Sequence, residues 1–149
     1  MVTLRAPHPL AALAETDETA WLERTADLVR ARQYDQIDPD TLAEYLTDMA
    51  KRDRREVYNR LVVLLAHLLK WEFQPDSRSR SWQVTILEQQ RELRQLLASG
   101  TLRNHAAEVL ADAYTDARKL AAADTGLPRT AFPDECRWDV NAVLADQGE

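Results

Sequence analysis

The segment Leu61-Val62-Val63-Leu64-Leu65-Ala66-His67-Leu68-Leu69-Lys70-Trp71 decides the fold. Only His67 and Lys70 within it are polar, so apolar side chains run almost all the way round the helix they form. A helix of that kind must be covered on most sides. Its longest apolar run, Leu61 to Ala66, falls far short of the ~18 residues that span a bilayer. The cover therefore has to come from other helices. Pro75 stops the segment soon after Phe73, because proline lacks an amide proton and clashes with the preceding turn.

Upstream, Asp53-Arg54-Arg55-Glu56 has the spacing of a capping box with aspartate in the usual serine or threonine place. Two readings stay open: a helix begins there, or an earlier helix bends into it. The earlier helix starts at Asp38-Pro39, an N-cap carboxylate followed by proline at the first helical position, and turns Leu42, Tyr45, Leu46 and Met49 inward. Before it, a helix begins after Thr16 or Asp17 and ends near Tyr34. Trp21, Thr25, Leu28 and Arg32 share its inner face, widened by Leu22 and Val29.

Downstream, a helix from Ser79 or Ser81 to Ser99 places Trp82, Ile86, Leu93, Leu96 and Leu97 inward, with Gly100 as a left-handed stop. The next runs from about Thr101 to Asp124, with Leu102, Ala106, Val109, Leu110, Ala113, Ala117 and Leu120 as its stripe. Gly126 ends it, with Leu127 and Pro128 beyond. A loop from Pro128 to Arg137 leads to a short helix around Asp139 to Leu144. Matched lengths and short connections predict an all-α, antiparallel bundle of about five helices plus a short C-terminal helix. The expected layout is a flexible N-terminal tail over residues 1–15 and one helical domain over residues 16–149.

Composition agrees with that class. The 149 residues are 45% apolar and 30% charged with only three glycines, and β-branched residues are sparse against Ala, Leu, Glu, Gln and Arg. A formal charge of −6 disfavours non-specific nucleic-acid binding by the whole protein. The single cysteine, Cys136, excludes an internal disulfide and a four-cysteine zinc site, and points to a reducing compartment. Residues 1–15 lack a charged start followed by an apolar core, so they do not read as a signal peptide. A cytoplasmic protein without a membrane segment is expected.

The run Leu64-Leu65-Ala66-His67-Leu68-Leu69-Lys70-Trp71, with Gln74-Pro75, Arg78, Ser81-Trp82 and Ile86, resembles the bacterial domain-of-unknown-function family numbered twenty-nine, abundant in cyanobacteria. Further matches are Ser99-Gly100-Thr101-Leu102-Arg103, Ala113-Tyr114, Ala117-Arg118, Phe132-Pro133 and Cys136, so the likeness extends from Asp17 to Leu144. It implies an all-helical fold and assigns no catalytic residue, ligand or cofactor. The family often carries proline after the late cysteine, whereas Arg137 follows Cys136 here.

Three constellations merit chemical attention. His67, on the nearly all-apolar helix, needs both ring nitrogens matched. Its partner could be a carboxylate from the following helices, the hydroxyl of Tyr114, or a backbone carbonyl. It reads either as a general base or ligand, or as a satisfied core histidine that fixes helix register. Lys70, Trp71, Arg78, Arg80 and Trp82 surround one helix–helix turn. They make either a platform for a partner, or a clamp whose arginines pair with Asp76 and Glu72. Lys51, Arg52, Arg54, Arg55 and Arg60 form a basic segment able to meet phosphates, or a solvated helix face.

No metal set emerges, since His105 and Glu108 form only one reversed pair of the kind that bundle di-metal sites use twice. No phosphate loop or nucleophile elbow is present. Cys136 would be a nucleophile only beside a base. With no catalytic set and no cofactor expected, enzyme status stays open. The leading expectation is a non-enzymatic helical module that binds a protein partner, or a second copy of itself, through the Trp71–Trp82 face. The alternatives are nucleic-acid association through the basic segment, and a ligand or enzymatic pocket at His67.

Overall fold

Short polar side chains set where the helices begin. In the computed structural model, which describes residues 6–146, Asp17 accepts from the amide of Ala20 and opens α2, Glu18–Arg30. Asp38 accepts from the amide of Thr41 at 3.3 Å and from its hydroxyl, opening α3, Pro39–Phe73. Ser79, Ser99 and Asp139 cap α4 (Arg80–Leu96), α5 (Gly100–Thr125) and α6 (Val140–Leu144) in the same way. Each cap satisfies a donor that the first turn leaves without an intrahelical partner. The protein is 79% helical, with six helices and no strand among the described residues.

Several boundaries depart from the sequence expectation. Ala11–Thr16 forms a short helix, α1, inside the stretch expected to be tail; residues 1–5 of that tail lie outside the described residues. α3 is one uninterrupted helix of 35 residues, so the Asp53 box lies mid-helix and starts nothing. Gly100 is no left-handed stop; it is the first residue of α5, behind the Ser99 cap. Gly126 is the left-handed stop expected of it, at φ 73°, and its amide donates to the Ala122 carbonyl.

α2 stops at Arg30, earlier than expected, through a terminator that lacks glycine. Arg32 takes φ 58°. Its amide donates to the Val29 carbonyl, and the Gln33 amide donates to that of Leu28. Those two bonds make a Schellman stop with arginine in the place glycine usually fills.

By its internal contacts the chain forms two compact units that meet in sequence between Lys51 and Arg52. Around that point α3 reads Thr47-Asp48-Met49-Ala50-Lys51-Arg52-Asp53-Arg54-Arg55. So polar a stretch cannot carry a core through itself.

In the first unit, α2 buries Trp21, Thr25 and Leu28, and the Trp21 ring lies 5.7 Å from that of Tyr45. Not every residue patterned as inward is covered. Val29 is 44% and Leu46 58% exposed.

In the second unit, Val57, Leu61, Leu64, Leu65, Ala66, Leu68 and Leu69 of α3 are all at most 2% exposed. They share one core with Ile86 and Leu93 of α4, Ala106, Ala113, Ala117 and Ala121 of α5, and Val143 of α6. The apolar helix is wrapped, as its sequence demands. Side-chain pairs fix the directions. Arg60 meets Gln89 while Lys70 meets the ring of Trp82, so α4 runs against α3. Tyr58 donates to Asp116 while Lys70 donates to Asp124, so α5 returns along the direction of α3. Among the described residues no helix is long and apolar enough to cross a membrane.

Candidate functional site

The turn between α3 and α4 gathers all five residues expected to form a surface, and it uses most of them internally. Lys70 is only 5% exposed. Its ammonium donates to the Asp124 carboxylate at 3.2 Å and stands 5.1 Å from the centre of the half-buried Trp82 ring. The guanidinium of Arg78 lies 4.7 Å from the centre of the Trp71 ring, and its Nε donates to the Trp71 carbonyl at 2.8 Å. Each indole thus already carries a cation, an arrangement that holds the turn against the helix ends. Arg80 is exposed at the first residue of α4, with no ion pair among the described residues. Glu72 pairs with Arg137, not with the arginines of the turn.

His67 and Tyr114 are matched separately. The half-buried imidazole donates through Nδ1 to the Val63 carbonyl, one turn back at 2.8 Å. Because a carbonyl only accepts, the neutral ring carries its proton on Nδ1. Burial pushes the imidazole below its ordinary range, and the ammonium of Lys70 adds to this; the Val63 carbonyl and Asp124 act against it. The buried Tyr114 hydroxyl donates to the Pro133 carbonyl, and burial raises its pKa. The carboxylate expected as a possible partner of His67 exists, as Asp124, but its bond goes to Lys70.

Two residues to which sequence reasoning gave no structural role prove central to the C-terminal segment. Gln90 is fully buried on α4 and donates from its amide to the carbonyls of Val143 at 3.0 Å and Ala145 at 2.9 Å. Arg118 donates to the Arg129 carbonyl and pairs with Asp134 at 2.9 Å. A glutamine on the inner face of α4, spaced four from Ile86 and three from Leu93, was the available signal. Cys136 is half-buried; its thiol donates to the Trp138 carbonyl, and burial pushes its pKa up. Among the described residues no cluster of His, Cys, Asp and Glu is arranged to hold a metal.

Two of the grooves among the described residues bear on function. One, of about 360 Å³, runs between α2 and the start of α3. It is lined by Leu22, Ala26, Val29, Leu42, Tyr45 and Leu46, with Arg30 at its rim. The second, of about 410 Å³, lies between α3 and α4 in the second unit and holds Arg52, Arg55 and Arg60. In the first, Val29 and Leu46, which the helical pattern marks for burial, are left uncovered.

No curated protein and no solved structure matches the chain. The model of one family, described as "Domain of unknown function DUF29", matches residues 13–147. That span takes in both units, the capped turn and the C-terminal segment, and the chain therefore belongs to the DUF29 family.

Proposed function

We propose that the protein is an interaction module whose N-terminal unit docks a cationic amphipathic helix of a partner protein in the groove between α2 and α3. One observation carries this reading: Val29 and Leu46, at helical spacing for a core, are 44% and 58% exposed on the walls of an apolar groove. Large aliphatic side chains grouped in one concavity mark a surface to be covered. Charge selects what covers it. Between Ala6 and Lys51 ten Asp and Glu side chains stand against four Arg and Lys, so this unit carries six net negative charges of its own. Two such units repel one another, which disfavours a second copy, whereas a helix with lysines flanking its apolar face is steered in.

The face around Trp71 and Trp82 is the weaker candidate, since its indoles already hold Lys70 and Arg78. We take the setting to be the cytoplasm, where a lone thiol such as Cys136 stays reduced.

The test is fluorescence anisotropy of a labelled 20-residue Lys/Leu amphipathic helix titrated with the full chain. Binding is expected to weaken at least 10-fold in Val29→Asp and Leu46→Asp, with helicity and thermal unfolding unchanged. A Glu/Leu peptide of the same apolar pattern is expected not to bind. Binding by either variant as tight as the parent's, or binding of the acidic peptide, would refute the proposal. So would sedimentation showing a dimer that Leu46→Asp disperses, since the groove would then belong to a second copy.

A further inference from the structure

We propose that the groove between α3 and α4 in the second unit binds a small phosphate monoester, its phosphate held between Arg52 and Arg55. Arg52, Arg55, Asn59 and Arg60 follow one another at helical spacing on one face of α3, and Gln89 of α4 faces them across a volume of about 410 Å³. That is the size of a metabolite site.

The three guanidinium groups differ in state. Arg60 is already fixed: its Nε donates to Glu56 at 2.9 Å, one terminal nitrogen donates to Gln89 at 3.2 Å, and the other lies 3.9 Å from Glu92. Arg52 and Arg55 are exposed, and among the described residues neither forms an ion pair or hydrogen bond. Two unanswered cations one helical turn apart repel each other. A dianionic oxyanion placed between them removes that repulsion and receives two planar forks of N–H donors.

The rest of the groove limits the ligand to one phosphate and a polar body. Glu56 also lines the groove, its carboxylate taken up by Arg60, and Glu92 lies on the far side of Arg60, so a second phosphate further along would meet carboxylates. A nucleic-acid strand, with a phosphate at every nucleotide, is therefore disfavoured, and the chain's charge of −6 repels it at longer range. Asn59 offers a side-chain amide, and Gln89, having given its carbonyl oxygen to Arg60, keeps its amide N–H groups for the ligand. Val63 supplies an apolar patch on the floor.

The probes are inorganic phosphate and adenosine 5′-monophosphate, titrated into the ¹⁵N-labelled full chain at constant ionic strength. Shifts confined to Arg52, Arg55, Asn59 and Gln89 are expected with both, saturating at a lower concentration for the monophosphate. Arg52→Gln and Arg55→Gln, both on the surface, should each weaken binding at least 10-fold. Arg54→Gln, on the same helix but outside the groove, should leave it within twofold. The proposal is overturned if neither probe shifts these resonances at 10 mM, if Arg54→Gln weakens binding as much as the other two, or if chloride alone reproduces the shifts. Tighter binding of a single-stranded oligonucleotide than of the monophosphate, at equal phosphate concentration, would also overturn it and assign the groove to nucleic acid.

Discussion

Lys70 and Asp124 form an ion pair of unequal partners: the lysine side chain is 7% exposed and the aspartate 48%, with 3.2 Å between nitrogen and oxygen. Burying an ammonium is costly unless it is matched. Here the carboxylate matches it from the side open to water, and the Trp82 ring lies on another. Losing the carboxylate therefore harms more than replacing the buried ammonium with an apolar side chain. Asp124→Asn is expected to lower unfolding free energy by about 1–2 kcal/mol, below the roughly 3–5 kcal/mol of a fully buried pair because Asp124 is half in solvent. Lys70→Met should stay within about 1 kcal/mol of the parent. Urea unfolding of both variants checks the order.

The C-terminal helix α6 has only five residues, too few to persist without tertiary support. Gln90 provides part of that support through two donated bonds. Both amide hydrogens point at carbonyl oxygens, which also fixes which way the amide faces. Gln90→Leu keeps the volume and removes both donors, with an expected cost of about 1–3 kcal/mol. Amide exchange should quicken in α6 before it does in α4. Equal protection of α6 in the variant would show that Gln90 does not hold it.

Arg32 occupies a left-handed conformation at φ 58°, which burdens a side chain bearing a Cβ by roughly 1–2 kcal/mol. Arg32→Gly relieves that crowding at some cost in unfolded-state freedom. A net gain of about 0.5–1 kcal/mol is expected. Slower amide exchange at Arg32 and Gln33, the two donors of the stop, is the local signature.

His67 links stability to pH. Burial, with Lys70 nearby, depresses its folded-state pKa below the ordinary imidazole value, which is about 6.5. The unfolded chain then takes up a proton first as pH falls. The stability this gives is present above about pH 6.5 and lost progressively below it, until the folded protein is protonated as well. His67→Gln should flatten the decline in urea midpoint across that window. An NMR titration of the ring that ends at or above 6.5 would contradict the sign.

The helix positions were legible because caps and stops act locally: Asp17, Asp38-Pro39, Ser79 and Gly126 each work within one turn. Arg32 was illegible as a stop, since nothing in arginine announces a positive φ. Gly100 misled in the opposite sense, because the neighbouring Ser99 captured the role of boundary. The wrapped centre of α3 followed from its composition alone. What covers a given stripe did not, and Leu46 shows why: helical spacing says that a residue belongs to an apolar face, not that the chain supplies something to lay over it. The turn at Trp71 and Trp82 was found as a cluster, yet its state was hidden. Whether a lysine beside an indole reaches outward or folds under depends on Asp124, 54 residues away.

The four alanines of α5 that enter the core, Ala106, Ala113, Ala117 and Ala121, are all 0% exposed. A methyl group has no rotamers to freeze, so this face is ordered without the torsional entropy loss that leucine or methionine would incur. The same economy removes its slack. Longer side chains at these positions have no alternative torsion to escape into, and the neighbouring leucines of α3 must move instead. Volume therefore restricts even the apolar residues that this buried face can accept.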